Sequence, residues 1–224
     1  MLIPLFHRLI RRHLLQQGVQ SKRIEVSGSL LHYYEVTPPA PAETLVLVHG
    51  LGTSASTWIH VLPALGQRFR VLAPDLPGFG FSQRKNTSSF RHLEEYVDTL
   101  SRFIDRTVSG PFILLGHSLG GWITMRYAVE HRKRVQQLIL INTAGVYYEG
   151  TEKQRELFDL KSLRDTRRLL EHIWLRYPWY FRPFNPWVFE DLVSRKVPEF
   201  VQAIREDDFM NSSLKHLTMP VNVI

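Results

Sequence analysis

The residues best suited to chemistry are Gly116-His117-Ser118-Leu119-Gly120-Gly121. The serine has glycine two positions before and two after it. The apolar run Phe112-Ile113-Leu114-Leu115 precedes the motif and a helix-like stretch follows, the setting of a sharp strand-to-helix turn. Such a turn lifts the Ser118 hydroxyl to the top of a sheet, and the glycines let strand and helix approach at a strained corner. A serine hydroxyl is a weak nucleophile until a base takes its proton, and the oxyanion formed on a carbonyl must be held by aimed N–H groups. The backbone N–H of Leu119 is one expected donor. The second is expected from the glycine-rich bend His49-Gly50-Leu51-Gly52, at Leu51. Gly50, His117, Trp58, Trp179 and Trp187 are candidate substrate-binding residues, with His117 also readable as a packing residue. His49 reads as a support for its own loop.

Those residues need a scaffold. Residues 44–48, 69–73, 112–115 and 138–141 are apolar runs of the kind found in strands covered on both faces. Residues 58–65, 90–108 and 122–130 read as helices between them, and this alternation predicts an α/β fold with a mostly parallel sheet and helices on both faces. Residues 23–26 and 30–36 flank Ser27-Gly28-Ser29 as a hairpin, and Pro38 to Pro41 form a stiff connector. From residue 146 to 215 the chain is rich in charge and aromatics and broken by Pro178, Pro183, Pro186 and Pro198. It reads as a helical cap over the sheet's upper edge, before a return to the sheet at residues 221–224. The expected divisions are an N-terminal helix in 1–22, a core in 23–145, a cap in 146–215 and the start of a further core strand in 216–224. Asp75 reads as a turn-former before Leu76-Pro77-Gly78.

Composition narrows the function. At 224 residues and 44% hydrophobic, the chain is long enough to bury a full core. Its net charge of +7 comes from small scattered basic groups without interleaved aromatics, so no nucleic-acid partner is expected. The absence of cysteine excludes disulfides and thiolate metal sites and fits a reducing cytoplasm. No cofactor and no metal are called for. Residues 2–15 place Leu2, Leu5, Phe6, Leu9, Ile10 and Leu14 on one helical face opposite His7, Arg8, Arg11 and Arg12, with Pro4 in the first turn. A basic amphipathic helix of this kind either packs on the domain or lies on a membrane surface.

The chain resembles the α/β-hydrolase superfamily. The matching residues are Leu47-Val48-His49-Gly50-Leu51-Gly52, Trp58, the run from Ala73 to Ser82 (APDLPGFGFS), Gly116 to Gly121, and Leu140-Ile141-Asn142-Thr143-Ala144-Gly145. The finer resemblance is to capped carboxylesterases and monoacylglycerol lipases, with hydrolases of carbon–carbon bonds among nearby relatives. It implies hydrolysis of a small, apolar acyl ester through an acyl-enzyme on Ser118. It also implies a triad in chain order serine, acid, histidine. No acid and no base are assigned. Asn142 stands at one alternative acid position, and all ten histidines precede the place where the family's base belongs. The resemblance therefore implies a C-terminally incomplete domain, with the last strand and helix missing, impaired activity and poor solubility. Carbon–carbon bond hydrolysis and a non-catalytic, degenerate hydrolase are the alternatives.

Overall fold

The computed structural model of the protein describes residues 2–40, 42–83 and 92–224. Pro41 and the expected helix start at residues 90–91 lie outside the described residues, as do the side chains of Leu2 and Pro4. Among the described residues seven strands form one sheet: β1 Gln20–Val26, β2 Ser29–Val36, β3 Thr44–Val48, β4 Arg70–Pro74, β5 Phe112–His117, β6 Val135–Ile141 and β7 Val221–Val223. Their spatial order is β1-β2-β4-β3-β5-β6-β7. β1 and β2 pair antiparallel, as do β2 and β4. All the other pairings are parallel. This is the expected α/β architecture.

The apolar runs became central strands because both faces are covered. In β3, Val46 and Val48 enter one core with Phe103, Ile104, Ile123 and Leu138, while Leu45 and Leu47 enter another with Ile10, Leu14, Trp58 and Leu62. Successive side chains of a strand point to opposite faces, so a strand buried on both sides has no polar positions to spare. Helices α3 (Leu93–Thr107) and α4 (Leu119–Glu130) cover the first face. In α3 the buried residues Tyr96, Val97, Leu100, Phe103 and Ile104 keep helical spacing. The second face is covered by α1 (Leu2–Gln16) and the short α2 (Leu62–Leu65).

Two expectations are modified and one, the hairpin, is borne out. Residues 58–65 are not one helix: a 3₁₀ turn ends at Trp58, and α2 starts separately at Leu62. Pro63, which lacks an N–H and clashes with the turn before it, prevents a continuous helix but fits a first turn. β1 begins earlier than residue 23, at Gln20, because Gln20, Ser21 and Lys22 lie on an edge strand whose polar side chains show no apolar pattern. The hairpin turn uses positive φ at Ser27 (51°) and Gly28 (69°), the two-residue geometry whose twist matches the strands it joins.

The apolar face expected on α1 is also divided. Ile10 and Leu14 are buried in the second core, whereas Leu5, Phe6, Leu9 and Leu15 are exposed.

Between β6 and β7 lie α5 (Thr151–Glu156), α6 (Leu163–Ile173), α7 (Asn185–Ser194), α8 (Val197–Gln202) and three 3₁₀ turns. Pro186 and Pro198 occupy first turns, and Pro178 caps one. Leu160, Leu169, Leu192 and Val197 form a small core of their own. Side-chain hydrogen bonds fasten this segment to the sheet layer. Arg195 donates to the Gly78 carbonyl, and Trp122 Nε1 donates to the Asp208 carbonyl at 3.1 Å.

Candidate active site

The strand order reverses around β3 and β5, so the crevice beyond their C-terminal ends is where an open α/β sheet binds ligands. β5 delivers Ser118 to that point, and α4 starts at the next residue. Ser118 has φ 52° and ψ −118°, a conformation disfavoured for any residue with a side chain. The surroundings hold it there. Its N–H donates to Ile141 O at 3.1 Å, and its carbonyl accepts from Gly121 N at 2.9 Å and Ala144 N at 3.1 Å.

The neighbouring glycines are steric necessities. A Cβ on Gly116 would lie 2.4 Å from Gly120 O, and one on Gly120 would lie 2.2 Å from Val48 O. A Cβ on Gly121 would lie 2.2 Å from Thr143 Oγ1. These distances leave no space for a methyl group. Gly50 stands beside the serine, for a Cβ there would meet Ser118 Cβ at 3.1 Å.

Ser118, Leu51 and Leu119 line one cavity of about 410 Å³ together with Trp122, Asn142, Phe158, Phe200 and Phe209. Leu119 is the first residue of α4, where backbone N–H groups have no partner within the helix. Neither the Leu119 N–H nor the Leu51 N–H donates a hydrogen bond to another described residue. Both expected oxyanion donors therefore sit unspent at the cavity that holds the serine hydroxyl.

His49 is wholly buried and both of its ring nitrogens are engaged. Nε2 accepts from Leu76 N at 2.9 Å, so Nδ1 carries the proton and donates to Gly50 O at 2.8 Å. Burial pushes its pKa down to about 4, and it stays neutral. His117 also has its pKa lowered by burial, and its Nδ1 has no partner. Among the described residues no histidine is hydrogen-bonded to Ser118. His172, on α6, reaches the cavity wall.

The aromatic expectations are corrected. Trp58, Trp179, Trp187 and His117 are absent from the cavity wall. Trp58 is buried in the core beneath the sheet, 6.5 Å from the His117 ring. Trp179 is 77% exposed, at the start of a 3₁₀ turn. The residues that line the cavity in their place, such as Phe158, Leu169, Phe200 and Phe209, are helical-segment residues that carry no motif, and no sequence signal singles them out.

A second arrangement has no signature in the sequence. Asp75, expected as a turn-former, is 1% exposed and is a hub. Its Oδ2 accepts from His32 Nδ1 at 2.7 Å and Phe81 N at 2.8 Å, and its Oδ1 accepts from Ala55 N at 2.7 Å. Burial works to raise its pKa, but the His32 hydrogen bond and charge and the Phe81 N–H together hold it below the ordinary carboxylate range. His32 Nε2 in turn meets Ser21 Oγ at 2.8 Å. Ser21, His32 and Asp75 form a hydrogen-bonded serine–histidine–aspartate chain, and none of the three lines the cavity of Ser118.

Comparison with known proteins places the geometry. The family model described as alpha/beta hydrolase fold matches residues 43–222. The chain belongs to the α/β-hydrolase family. A "1-acylglycerol-3-phosphate O-acyltransferase" of Arabidopsis thaliana is 36% identical over 137 residues, 59% of this chain and 32% of that protein. A "2-hydroxy-6-oxo-2,4-heptadienoate hydrolase" of Pseudomonas putida is 27% identical over 191 residues, 78% of this chain and 69% of that protein. The first curated relatives are matched over 32%, 33% and 46% of their length, so the chain spans less than half of each. The crystal structure of a bacterial "membrane phospholipase A" superposes with TM-score 0.78 at 23% identity, over 99% of this chain and 74% of that one, a likeness of fold. Among the described residues of this α/β hydrolase no helix is long and apolar enough to cross a membrane.

Proposed function

We propose that this α/β hydrolase cleaves carboxylic esters with an apolar acyl group, through an acyl-enzyme on Ser118. The single observation that carries the reading is the shared cavity: a strained serine and two unspent backbone donors, Leu51 and Leu119, meet on one largely apolar wall. In the reaction Ser118 Oγ bonds to the ester carbonyl carbon, the carbon–alkoxide bond breaks, and the serine proton ends on the departing alkoxide oxygen. The Leu51 and Leu119 N–H groups hold the intervening oxyanion, which collapses with expulsion of the alcohol. Water then hydrolyses the acyl-serine. No cofactor or metal enters this scheme.

Incubation with a fluorophosphonate probe, followed by peptide mass spectrometry, tests this. A phosphonyl adduct on Ser118 is expected, together with its loss in Ser118→Ala. Labelling that survives the substitution, or no adduct on folded protein, overturns the reading. A second reading, hydrolysis of a carbon–carbon bond in a dienone acid, is favoured by the Pseudomonas putida relative. Comparing a medium-chain ester with a dienone ketone as substrates separates the two.

A further inference from the structure

We propose that residues 173–184 form a docking surface for an anionic phospholipid bilayer. The end of α6 and the 3₁₀ turn Trp179–Phe184 present Ile173, Trp174, Leu175, Trp179, Tyr180, Phe181 and Phe184 to solvent. Leu175 is fully exposed. The rings touch in sequence rather than being scattered: Trp174 lies 5.5 Å from Phe181, which lies 5.5 Å from Tyr180 and 6.0 Å from Phe184. Folded proteins rarely leave so many contiguous large apolar side chains in water unless something covers them.

The chemistry of the strip selects the cover. Trp and Tyr have an apolar body and a polar tip, which suits the level of lipid headgroups. The only charges between residues 173 and 184 are Arg176 and Arg182, both exposed, and arginine stems lie along apolar surface while their heads reach phosphate. The strip contains no Asp or Glu. The 3₁₀ turn packs on α7, and so does α1, which exposes Leu5, Phe6, Leu9, Arg8 and Arg12 and has no acidic residue. The net charge of +7 adds long-range attraction to a negative surface.

The strip also continues from the cavity. His172 and Ile173 line the space that holds Ser118, and Ile173 is also the first exposed residue of the strip. An acyl chain leaving the bilayer at the strip would therefore meet that cavity's wall first. Docking itself does not depend on the ester-hydrolase reading and is measured on Ser118→Ala protein, so the failure of one leaves the other standing.

Co-sedimentation with vesicles of phosphatidylcholine, or of equimolar phosphatidylcholine and phosphatidylglycerol, is the test. Binding to the mixed vesicles is expected to be roughly tenfold or more stronger, from two arginines at the surface. The double variant Leu175→Asp, Trp179→Asp is expected to lose binding to both, with an unchanged circular dichroism spectrum and thermal midpoint. Arg176→Gln with Arg182→Gln should remove the preference for the anionic vesicles. Undiminished binding by the Asp double variant overturns the proposal, as does binding abolished only by Phe6→Glu with Leu9→Glu. Absence of vesicle binding, with the Asp variant turning a dimer into a monomer by light scattering, makes the strip a self-association face and also overturns it.

Discussion

Two serines of this chain have opposite halves of a catalytic apparatus. Ser118 sits at φ 52° on a strand-to-helix corner, faces a cavity and has two spare backbone donors beside it, but no histidine is bonded to it among the described residues. Ser21 lies within the regular edge strand β1 and is bonded to His32, which is bonded to the buried Asp75, a complete relay with no place in that cavity. The difference shows what each part is for. A relay shifts protons, and it also makes a compact polar staple. Here it joins β1 and β2 to the end of β4 and, through Ala55 N and Phe81 N, to two loops. The proposed catalysis draws instead on strain, exposure to a cavity and unspent backbone donors, which the corner at Ser118 combines.

The comparison is broken most forcefully at Asp75. Asp75→Asn removes the charge that His32 and two backbone N–H groups converge upon, and it should cost about 3–5 kcal/mol by urea denaturation. A loss under about 1 kcal/mol would show that the staple is decorative.

The next effect is on pH. Burial holds the pKa of His49 at about 4 in the folded protein against an ordinary 6.5, so between those values the unfolded chain binds a proton that the native chain refuses. Its contribution is whole above pH 6.5 and is lost as pH falls toward 4, about 1.4 kcal/mol per unit. His7 and His117, both lowered chiefly by burial, act in the same direction. The urea midpoint should therefore drop steadily as pH falls from 7 to about 5, with a shallower slope in His49→Gln. A flat profile over that range would mean that His49 is not buried neutral.

The smallest effects sharpen the contrast between the serines. Ser118→Gly should raise stability by about 1 kcal/mol while abolishing probe labelling, because glycine accepts the positive φ without strain. Ser21→Ala should lower stability by about 1 kcal/mol and leave labelling of Ser118 unchanged. Paired denaturation and labelling measurements on the two variants decide this. Equal signs in stability would erase the distinction.

What the sequence made readable follows from distance along the chain. The strand cores of β3, β5 and β6, the hairpin turn and the Ser118 corner all announce themselves within a few residues, since burial on both faces demands apolar runs and the corner demands glycines. The turn role of Asp75 is local and holds in its bond from Phe81 N, but its role as a hub is not legible, because its partners His32 and Ala55 lie 43 and 20 residues away. The start of β1 was hidden by polar edge positions. Trp58 belongs to the residues that carry the resemblance, yet at the end of its 3₁₀ turn it packs in the second core and is absent from the cavity wall. Trp179 went astray for a similar reason, because the position of an aromatic side chain in a helical insertion is set by packing between short elements.

The glycines at 116, 120 and 121 have a further meaning. Each faces backbone or Thr143 at under 2.5 Å from where a methyl would sit, so single-step variation at that corner is closed to selection. Novelty in such a scaffold must arrive from elsewhere. The segment between β6 and β7 supplies the Phe158, Phe200 and Phe209 side of the wall, so a changed side chain there reshapes the cavity while the glycines of the corner stay in place.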